Sequence, residues 1–178
     1  MVPTPVGHAL GALLLTAPLR ARYRVMGAGI TLAAAVAGVA PDLDLLIGRH
    51  SGETHSVGAA AIAALATWAI LKWRQVAHAV VFASVLGAAV LSHTFLDWLG
   101  TDTSAPIGIM ALWPFSREFF ESGAHIFQAV SRRYWLDEFW IYNLGVLVRE
   151  LLLLGLPAAF VEFVLRRRRK TQDSKSNA

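Results

Sequence analysis

Hydrophobic residues along the chain fall into five runs separated by more polar connections. The runs cover approximately residues 6–19, 25–39, 57–71, 76–99 and 143–165. The fourth run is the strongest, because it contains no Asp, Glu, Lys or Arg before Asp97. A helix needs about 20 apolar residues to cross a bilayer, so the first three runs are short, and we expect them to be tilted or partly buried against neighbours. This pattern predicts an all-α, multi-pass transmembrane bundle of about four to five apolar helices.

The region 100–142 departs from this pattern. It contains Pro106 and Pro114, several glycines, and the aromatic stretches WPFSREFFESGAHIF and RRYWLDEFWIY. Trp and Tyr next to basic residues favour the boundary between lipid and water. We therefore predict an interfacial helical and aromatic segment, with an amphipathic helix lying on the membrane surface in its later part. An ordinary loop packed on the bundle is the alternative.

The composition favours a membrane protein over a soluble helical core. Hydrophobic residues make up 56% of the 178 residues and charged residues only 16%, which is well below the charged share of a typical soluble domain. The chain contains no cysteine, which excludes disulfides and thiolate metal ligands. We expect residues 1–165 to form one membrane-embedded domain in a lipid bilayer, and no oligomeric state is predicted.

The net charge of +4 is concentrated in basic clusters at the ends of the apolar runs. These clusters lie at 20–24, 72–74 and 166–170. Basic clusters that flank hydrophobic spans mark the cytoplasmic side of a membrane protein, and we prefer this interpretation to nucleic-acid binding. The basic segment 166–178 is predicted to be a disordered tail in the cytoplasm.

Histidine and aspartate residues converge at the end of the predicted bundle opposite the basic clusters. If the helices alternate in direction, the starts of the first and third runs meet the ends of the second and fourth. That end then collects His8, Asp42, Asp44, His55, His93 and Asp97. By the positive-inside rule it faces away from the cytoplasm.

His93 and Asp97 are four residues apart, so a helix places both side chains on one face. Imidazole and carboxylate are common ligands of zinc and other divalent ions. Alone, such a pair is more often a structural hydrogen bond, but the convergence with the other four residues favours a metal site.

Three further polar residues have weaker assignments. His50 and Glu53 could join the site or orient its ligands, although Glu53 also fits a solvated loop. Asp102 fits a turn or a cap, with contact to the site as the alternative. Glu121 and His125 are also four apart, and surface polarity is the simpler interpretation than a further metal.

Five short motifs carry a resemblance to a known family. They are TPVGHALGA at 4–12, PDLD at 41–44, HSGETHS at 50–56, SHTFLD at 92–97 and APIG…WPFS at 105–116. Together they resemble the YdjM-like (YbcI/YdjM) family of inner-membrane metal-dependent hydrolases, over residues 3 to about 116. The family usually has His-Arg before Thr-His-Ser, whereas here His50 is followed by Ser51 and Arg49 lies one place earlier. The resemblance implies a bacterial-type inner membrane.

The order His, Asp, His, His-x-x-x-Asp is also similar to zinc-dependent phospholipases C. That resemblance implies the metal ligands His8, Asp42, His55, His93 and Asp97. The later His and Glu that complete a trinuclear cluster in those enzymes have no clear equivalent, so one or two metal ions are expected. Zinc is the first choice, with Mn or Mg as alternatives.

These observations predict a membrane-bound metal-dependent hydrolase with a metal-activated water. Asp44 is the expected general base, or Asp42 if it is not a ligand. The position near Trp98, Trp113 and Phe115 suggests a phosphoester in a lipid or lipid-linked substrate. A non-catalytic protein that binds or transports metal ions is the alternative, although transporters place such residues nearer the midplane. A metal that only staples the helices is a third possibility.

Overall fold

The computed structural model describes residues 3–23, 27–48, 50–103 and 105–176, and in these ranges it is helical or irregular, with no strand. The helices are α1 (Pro5–Arg22), α2 (Ala28–Val39), α3 (Val57–Trp73), α4 (Ala79–Trp98), α5 (Phe139–Glu150) and α6 (Leu156–Ser176). Tight 3₁₀ turns extend α2 over Ala40–Ile47, and a π-helical turn, Leu151–Gly155, joins α5 to α6. The predicted all-α class is confirmed.

Three helical stretches are long and apolar enough to cross a membrane. They are Ala28–Leu46, Ala79–Trp98 and Phe139–Arg168, and α3 is a shorter apolar helix. This agrees with the predicted multi-pass helical bundle.

The helices pack closely because small residues lie where they cross. α4 is central and contacts α1, α2 and α3. A Cβ atom at Gly38 would lie 2.5 Å from the Cβ of Ala12, and one at Gly87 would lie 2.7 Å from the Cβ of Ala64. Such residues let helix backbones approach in lipid, where van der Waals packing drives association.

Side-chain caps define two helix starts next to predicted site residues. The Thr4 hydroxyl accepts the Gly7 N–H at the start of α1, and the Ser56 hydroxyl accepts the Ala59 N–H at the start of α3. A capped start fixes the direction of the helix entry. The caps therefore help to place His8, at the end of the first turn of α1, and His55, just before α3.

The segment between α4 and α5 corrects one prediction. Its described residues up to Glu138 form turns and isolated bridges, Gly100 with Phe127 and Ile109 with Phe120, and no helix. In its first part, Pro106 and Pro114 lack an N–H, and Gly108 and Gly123 adopt positive φ, which interrupts any helix there. The amphipathic helix was predicted for the later part, and that part is helical only from Phe139, the start of α5. The prediction is therefore wrong up to Glu138, where the alternative of an ordinary loop fits better.

The C-terminal segment also differs from its prediction. α6 continues to Ser176, whereas disorder was expected from residue 166. The stretch RRRRKTQDSK has no Gly or Pro, and Arg, Lys and Gln are good helix formers. The end of the last span therefore extends as helix. Arg24, from the predicted basic cluster at 20–24, lies outside the described residues.

A buried arginine ties the basic end of the bundle together. The guanidinium of Arg20, a side chain in the last turn of α1, donates to Glu162 Oε1 at 2.6 Å and to the Leu13 carbonyl at 2.8 Å. It also donates to the hydroxyls of Thr16 and Thr31, both at 3.1 Å. α1, α2 and α6 are thereby joined at this end.

Candidate metal centre

Four separate elements deliver the polar residues of the opposite end. α1 supplies His8, the 3₁₀ turns after α2 supply Asp42 and Asp44, and the short turn before α3 supplies His55. The last two turns of α4 supply His93 and Asp97. The structure brings these six predicted residues into one cluster, as alternating helix directions require.

Asp97 faces three imidazoles. Its Oδ1 lies 3.2 Å from His8 Nε2, and its Oδ2 lies 3.3 Å from His55 Nε2 and 3.2 Å from His93 Nε2. One carboxylate thus contacts a nitrogen from each of three helical elements.

Asp42 closes the cluster from another side. Its Oδ2 lies 3.9 Å from His8 Nε2, while its Oδ1 lies 3.6 Å from His55 Nε2 and 3.7 Å from His93 Nε2. The rings of His8 and His93 stack with centroids 3.7 Å apart. Each of the three Nε2 atoms therefore lies within 3.9 Å of oxygens of the same two carboxylates. These five residues form the candidate site that we call the metal centre (residues 8, 42, 55, 93 and 97).

Most polar atoms of the metal centre are buried without a hydrogen-bond partner. The three histidine side chains are at most 1% exposed. The unpartnered atoms here, within the described chain, are His8 Nδ1, His8 Nε2, Asp42 Oδ2, His55 Nε2, His93 Nε2 and Asp97 Oδ1. Such atoms are costly to bury, and imidazole nitrogens with carboxylate oxygens are the ligands that zinc prefers when thiolates are absent. The residues present therefore fit a divalent metal ion.

Two of the three imidazoles, those of His93 and His55, have a polar partner at Nδ1, on the ring side away from the centre. His93 Nδ1 donates to the Gly38 carbonyl at 2.8 Å, which leaves the Nε2 lone pair facing the centre. His55 Nδ1 lies 3.3 Å from Asp44 Oδ2, and the same oxygen accepts the Thr54 hydroxyl at 2.6 Å. Partners of this kind fix the tautomer and ring direction of metal-binding histidines. Asp44 thus lies behind the His55 ring, on the side away from the other two imidazoles.

The charges of the centre attract positive charge. Burial alone would lower the pKa of His55, which lies outside the candidate spans, but the neighbouring carboxylates of Asp42, Asp44 and Asp97 raise that pKa to about 9. Burial lowers the pKa of His50, and the neighbouring His55 lowers it further. In the absence of a metal ion a proton is thus held at His55, where a cation would replace it.

The three weaker candidates occupy different places. His50 Nδ1 lies 3.3 Å from Asp44 Oδ1, which links His50 to the centre through that carboxylate. Glu53 starts the turn Glu53–His55, and its carbonyl accepts the Ser56 hydroxyl at 2.6 Å. Asp102 braces the aromatic segment, because its Oδ2 accepts the Gly108 N–H at 3.1 Å.

The predicted pair Glu121 and His125 contacts residues outside the metal centre. Glu121 Oε1 accepts the Asp102 N–H at 3.0 Å and lies 3.8 Å from His125 Nδ1, whose side chain is 52% exposed. This arrangement agrees with surface polarity. Arg49, the possible substitute for the family arginine, lies outside the described residues.

The comparison with protein families agrees with the motifs. The family described as YdjM inner membrane protein matches residues 3–168. The chain belongs to the YdjM inner membrane protein family. No curated protein and no solved structure matches the chain.

The YdjM match extends beyond residue 116, where the motif resemblance stopped, and it includes the whole aromatic segment. Residues 110–113 of that segment form backbone hydrogen bonds on both sides of the turn Glu53–His55. The Met110 N–H donates to the Ser51 carbonyl at 2.9 Å, and the carbonyls of Ala111 and Trp113 accept the first two N–H groups of α3 at 2.9 and 3.0 Å. A Cβ at Gly58 would lie 2.4 Å from the Trp113 oxygen, so this contact requires glycine.

The YdjM match also includes a polar residue to which we assigned no role from the sequence. Glu150, in the fifth apolar run, is 1% exposed, and its Oε1 accepts the Thr4 N–H at 2.6 Å. An acidic residue inside a membrane span is rare and is by default a functional candidate. That signal was available in the sequence, but the partner, 146 positions away, was not.

Proposed function

We propose that this chain is a membrane-bound metal-dependent hydrolase that acts on a phosphoester in a lipid or lipid-linked substrate. The observation that carries the proposal is the buried, unpartnered set of three Nε2 atoms and two carboxylates in the metal centre. The groups of metal-binding side chains around it overlap, which is compatible with one or two ions.

The donor set supports zinc as the first choice. Imidazole nitrogen suits zinc, whereas Mg and Mn favour oxygen ligands. The proposed ligands are His8, Asp42, His55, His93 and Asp97. A divalent ion held there would supply Lewis acidity, lowering the pKa of a coordinated water and stabilising charge on a phosphoryl oxygen.

The two candidate bases have different surroundings. Asp44 is engaged with His55, His50 and Thr54, so we propose that its main role is to hold His55. Asp42 lies among the imidazoles with one oxygen unpartnered. It is therefore better placed to accept a proton from a substrate or water, if the ion is held by the other ligands.

An apolar groove supports a lipid substrate. A cavity of about 340 Å³ lies between α1 and α2, and it is lined by Ala9, Ala35, Val36, Val39, Ala40 and Leu43. Ala9 directly follows His8, and Leu43 directly follows Asp42. A hydrocarbon chain in this groove would have its head end near the metal centre. The side chain of Phe115, in the segment that clamps the His55 turn, is 90% exposed, as expected for an anchor in the headgroup region.

We also propose that the metal centre faces away from the cytoplasm of a bacterial-type inner membrane. Arg20 and Glu162 meet at the far end of α1, and the basic residues of α6 follow Glu162. The positive-inside rule places that end, with the C-terminus, in the cytoplasm. In a chain without native cysteine, Glu118→Cys should react with an impermeant maleimide in intact spheroplasts, and Thr171→Cys only after permeabilisation. The reverse pattern would contradict this orientation.

Phosphoester turnover by the purified protein tests the activity. Wild type, a chelated sample and His93→Ala are compared on a long-chain phospholipid, a soluble phosphodiester and a soluble phosphomonoester. We expect metal-dependent release with at least one substrate and its loss in His93→Ala. Ala35→Leu, which fills the groove, should raise KM for the phospholipid and leave a soluble ester unaffected.

A non-catalytic metal protein is the second candidate. The observation that favours it is the nearly complete burial of the three histidines, since closed centres are typical of structural metals. Bound metal in wild type, together with no turnover of any phosphoester, would support this candidate and contradict the hydrolase.

A further inference from the structure

Glu150 is a buried acid in an apolar helix. It is the last residue of α5, its side chain is 1% exposed, and the π-helical turn follows directly. A carboxylate in such a position costs free energy unless its oxygens are bonded. Single π-helical turns inside α-helices are frequent at functional sites.

The partners of Glu150 belong to the first turn of α1. Oε1 accepts the Thr4 N–H, and Oε2 contacts the Thr4 hydroxyl. A Cβ at Gly7 would lie 2.6 Å from Oε2, so the carboxylate approaches the helix over a glycine. Free N–H groups and the helix dipole favour an anion at a helix start.

The first turn of α1 in turn determines the position of His8. Thr4 caps this turn through its hydroxyl, and its carbonyl accepts the His8 N–H at 3.0 Å. Unlike His93, which donates to the Gly38 carbonyl, and His55, which faces Asp44, His8 has no bonded partner behind its ring. The imidazole is held by its backbone, by its stacking on His93 and by the contact of its Nε2 with Asp97 Oδ1.

We propose that Glu150 is a positioning residue: through Thr4 and the first turn of α1 it holds the His8 imidazole at the metal centre. This inference rests on the metal binding in the proposed function, but not on catalysis. Of the three imidazoles, His8 has no hydrogen-bond partner at Nδ1 among the described residues, and the contact of Glu150 with Thr4 gives it an anchor on α5.

Cobalt binding in detergent solution tests the inference, because Co²⁺ absorption reports both affinity and ligand geometry. We expect Glu150→Ala to weaken Co²⁺ binding about tenfold and to change the absorption spectrum, as losses of outer partners of metal ligands do. Glu150→Gln can still accept the Thr4 N–H, so its affinity should stay within about fivefold of wild type, the equivalent of one weakened hydrogen bond. In a His8→Ala background, Glu150→Ala should have no further effect, because the two act through one ligand.

Glu162→Ala is the matched control. Glu162 joins the same last span to the same α1 through Arg20, but at the far end. It should lower thermal stability and leave Co²⁺ affinity unchanged. The positioning role would be overturned if Glu150→Ala weakened Co²⁺ binding equally in the wild-type and His8→Ala backgrounds. It would also be overturned if Glu162→Ala weakened Co²⁺ binding as much as Glu150→Ala does. A wild type that binds no Co²⁺ would overturn the metal site itself, whereas tight binding that Glu150→Ala leaves unchanged would overturn the positioning role alone.

Discussion

Two buried polar clusters lie at opposite ends of α1, and they differ in how their atoms are paired. At one end, all three guanidinium nitrogens of Arg20 donate to oxygens of α1, α2 and α6. At the other end, six buried nitrogen and oxygen atoms of the metal centre have no hydrogen-bond partner among the described residues. The Arg20 side chain is 6% exposed and the three histidine side chains are at most 1% exposed, so the burial of these four side chains does not explain the difference in pairing.

The comparison distinguishes a polar cluster that joins helices from one whose unpaired atoms fit a cation. A satisfied network in a low-dielectric interior rigidifies the packing and needs nothing more. Unpaired carboxylate oxygens and imidazole nitrogens that point at one another are costly until a cation lies between them. Arg20 and His93 are both buried, so burial alone does not indicate which of them could bind a ligand. Their hydrogen bonds distinguish them, because the Arg20 nitrogens are all paired and His93 Nε2 is not.

The largest expected effect is the loss of metal on removal of a ligand. His93→Ala and Asp97→Ala should each reduce metal affinity by more than about 100-fold, above the range for outer partners. Metal analysis of purified protein measures this directly. His125→Ala, which removes an exposed histidine outside the centre, should retain the wild-type content. Equal content in all of these proteins would contradict the assignment of the centre.

A smaller effect is expected from pH. The pKa of His55 is raised to about 9 by the neighbouring carboxylates, so below that pH a cation must displace its proton. Metal affinity should therefore rise as pH increases towards 9, by roughly 30-fold between pH 7 and 8.5 for one displaced proton.

Isothermal titration at several pH values measures this dependence. Asp44→Asn weakens the interaction that favours the proton on His55, so its affinity should stop rising at a lower pH. An affinity that is flat over this interval in wild type would show that no such proton is displaced.

The smallest expected effect concerns the helix contact beneath the centre. A Cβ at Gly38 would lie 2.5 Å from that of Ala12 and 2.9 Å from the His8 carbonyl oxygen, and the Gly38 carbonyl orients His93. Gly38→Ala should destabilise the fold by about 1–3 kcal/mol through overpacking, and it should also weaken metal binding severalfold.

Gly87→Ala provides the matched comparison in thermal unfolding and metal titration. It crowds Ala64 at the α3–α4 contact, which involves no residue of the metal centre. We expect a similar loss of stability with metal affinity within about twofold of wild type, since distant sites act independently. Equal weakening of metal binding in both variants would mean that general loosening, not the Gly38 contact, controls the centre.

The sequence predicted the bundle and the composition of the centre for a simple reason. Alternating helices place alternate helix ends together, so the positions of six residues along the apolar runs were sufficient to group them: His8, Asp42, Asp44, His55, His93 and Asp97. The choice of five of them as metal ligands came from the resemblance to zinc-dependent phospholipases C. Their roles as metal ligands remain a prediction.

Three features of the structure could not be predicted from the hydrophobic pattern, because they depend on contacts between residues that are distant or irregularly spaced in the sequence. Whether Asp44 or Asp42 lies among the imidazoles depends on the 3₁₀ turns after α2, which rotate neighbouring carboxylates to different sides. The aromatic composition of the segment after α4 suggested a surface helix, but its prolines and glycines form turns that clamp the His55 segment. The partner of Glu150 could not be read from local sequence either, because Thr4 lies near the other terminus.

The Thr4–Glu150 contact has a consequence for biogenesis. Thr4 is synthesised 146 residues before Glu150. A nascent chain that has inserted α1 to α4 already carries residues 8, 42, 55, 93 and 97, yet the first turn of α1 still lacks its contact with Glu150. The proposed positioning of His8 therefore requires insertion of the helix that carries Glu150, and a product that ends before α5 would retain these five residues without that contact.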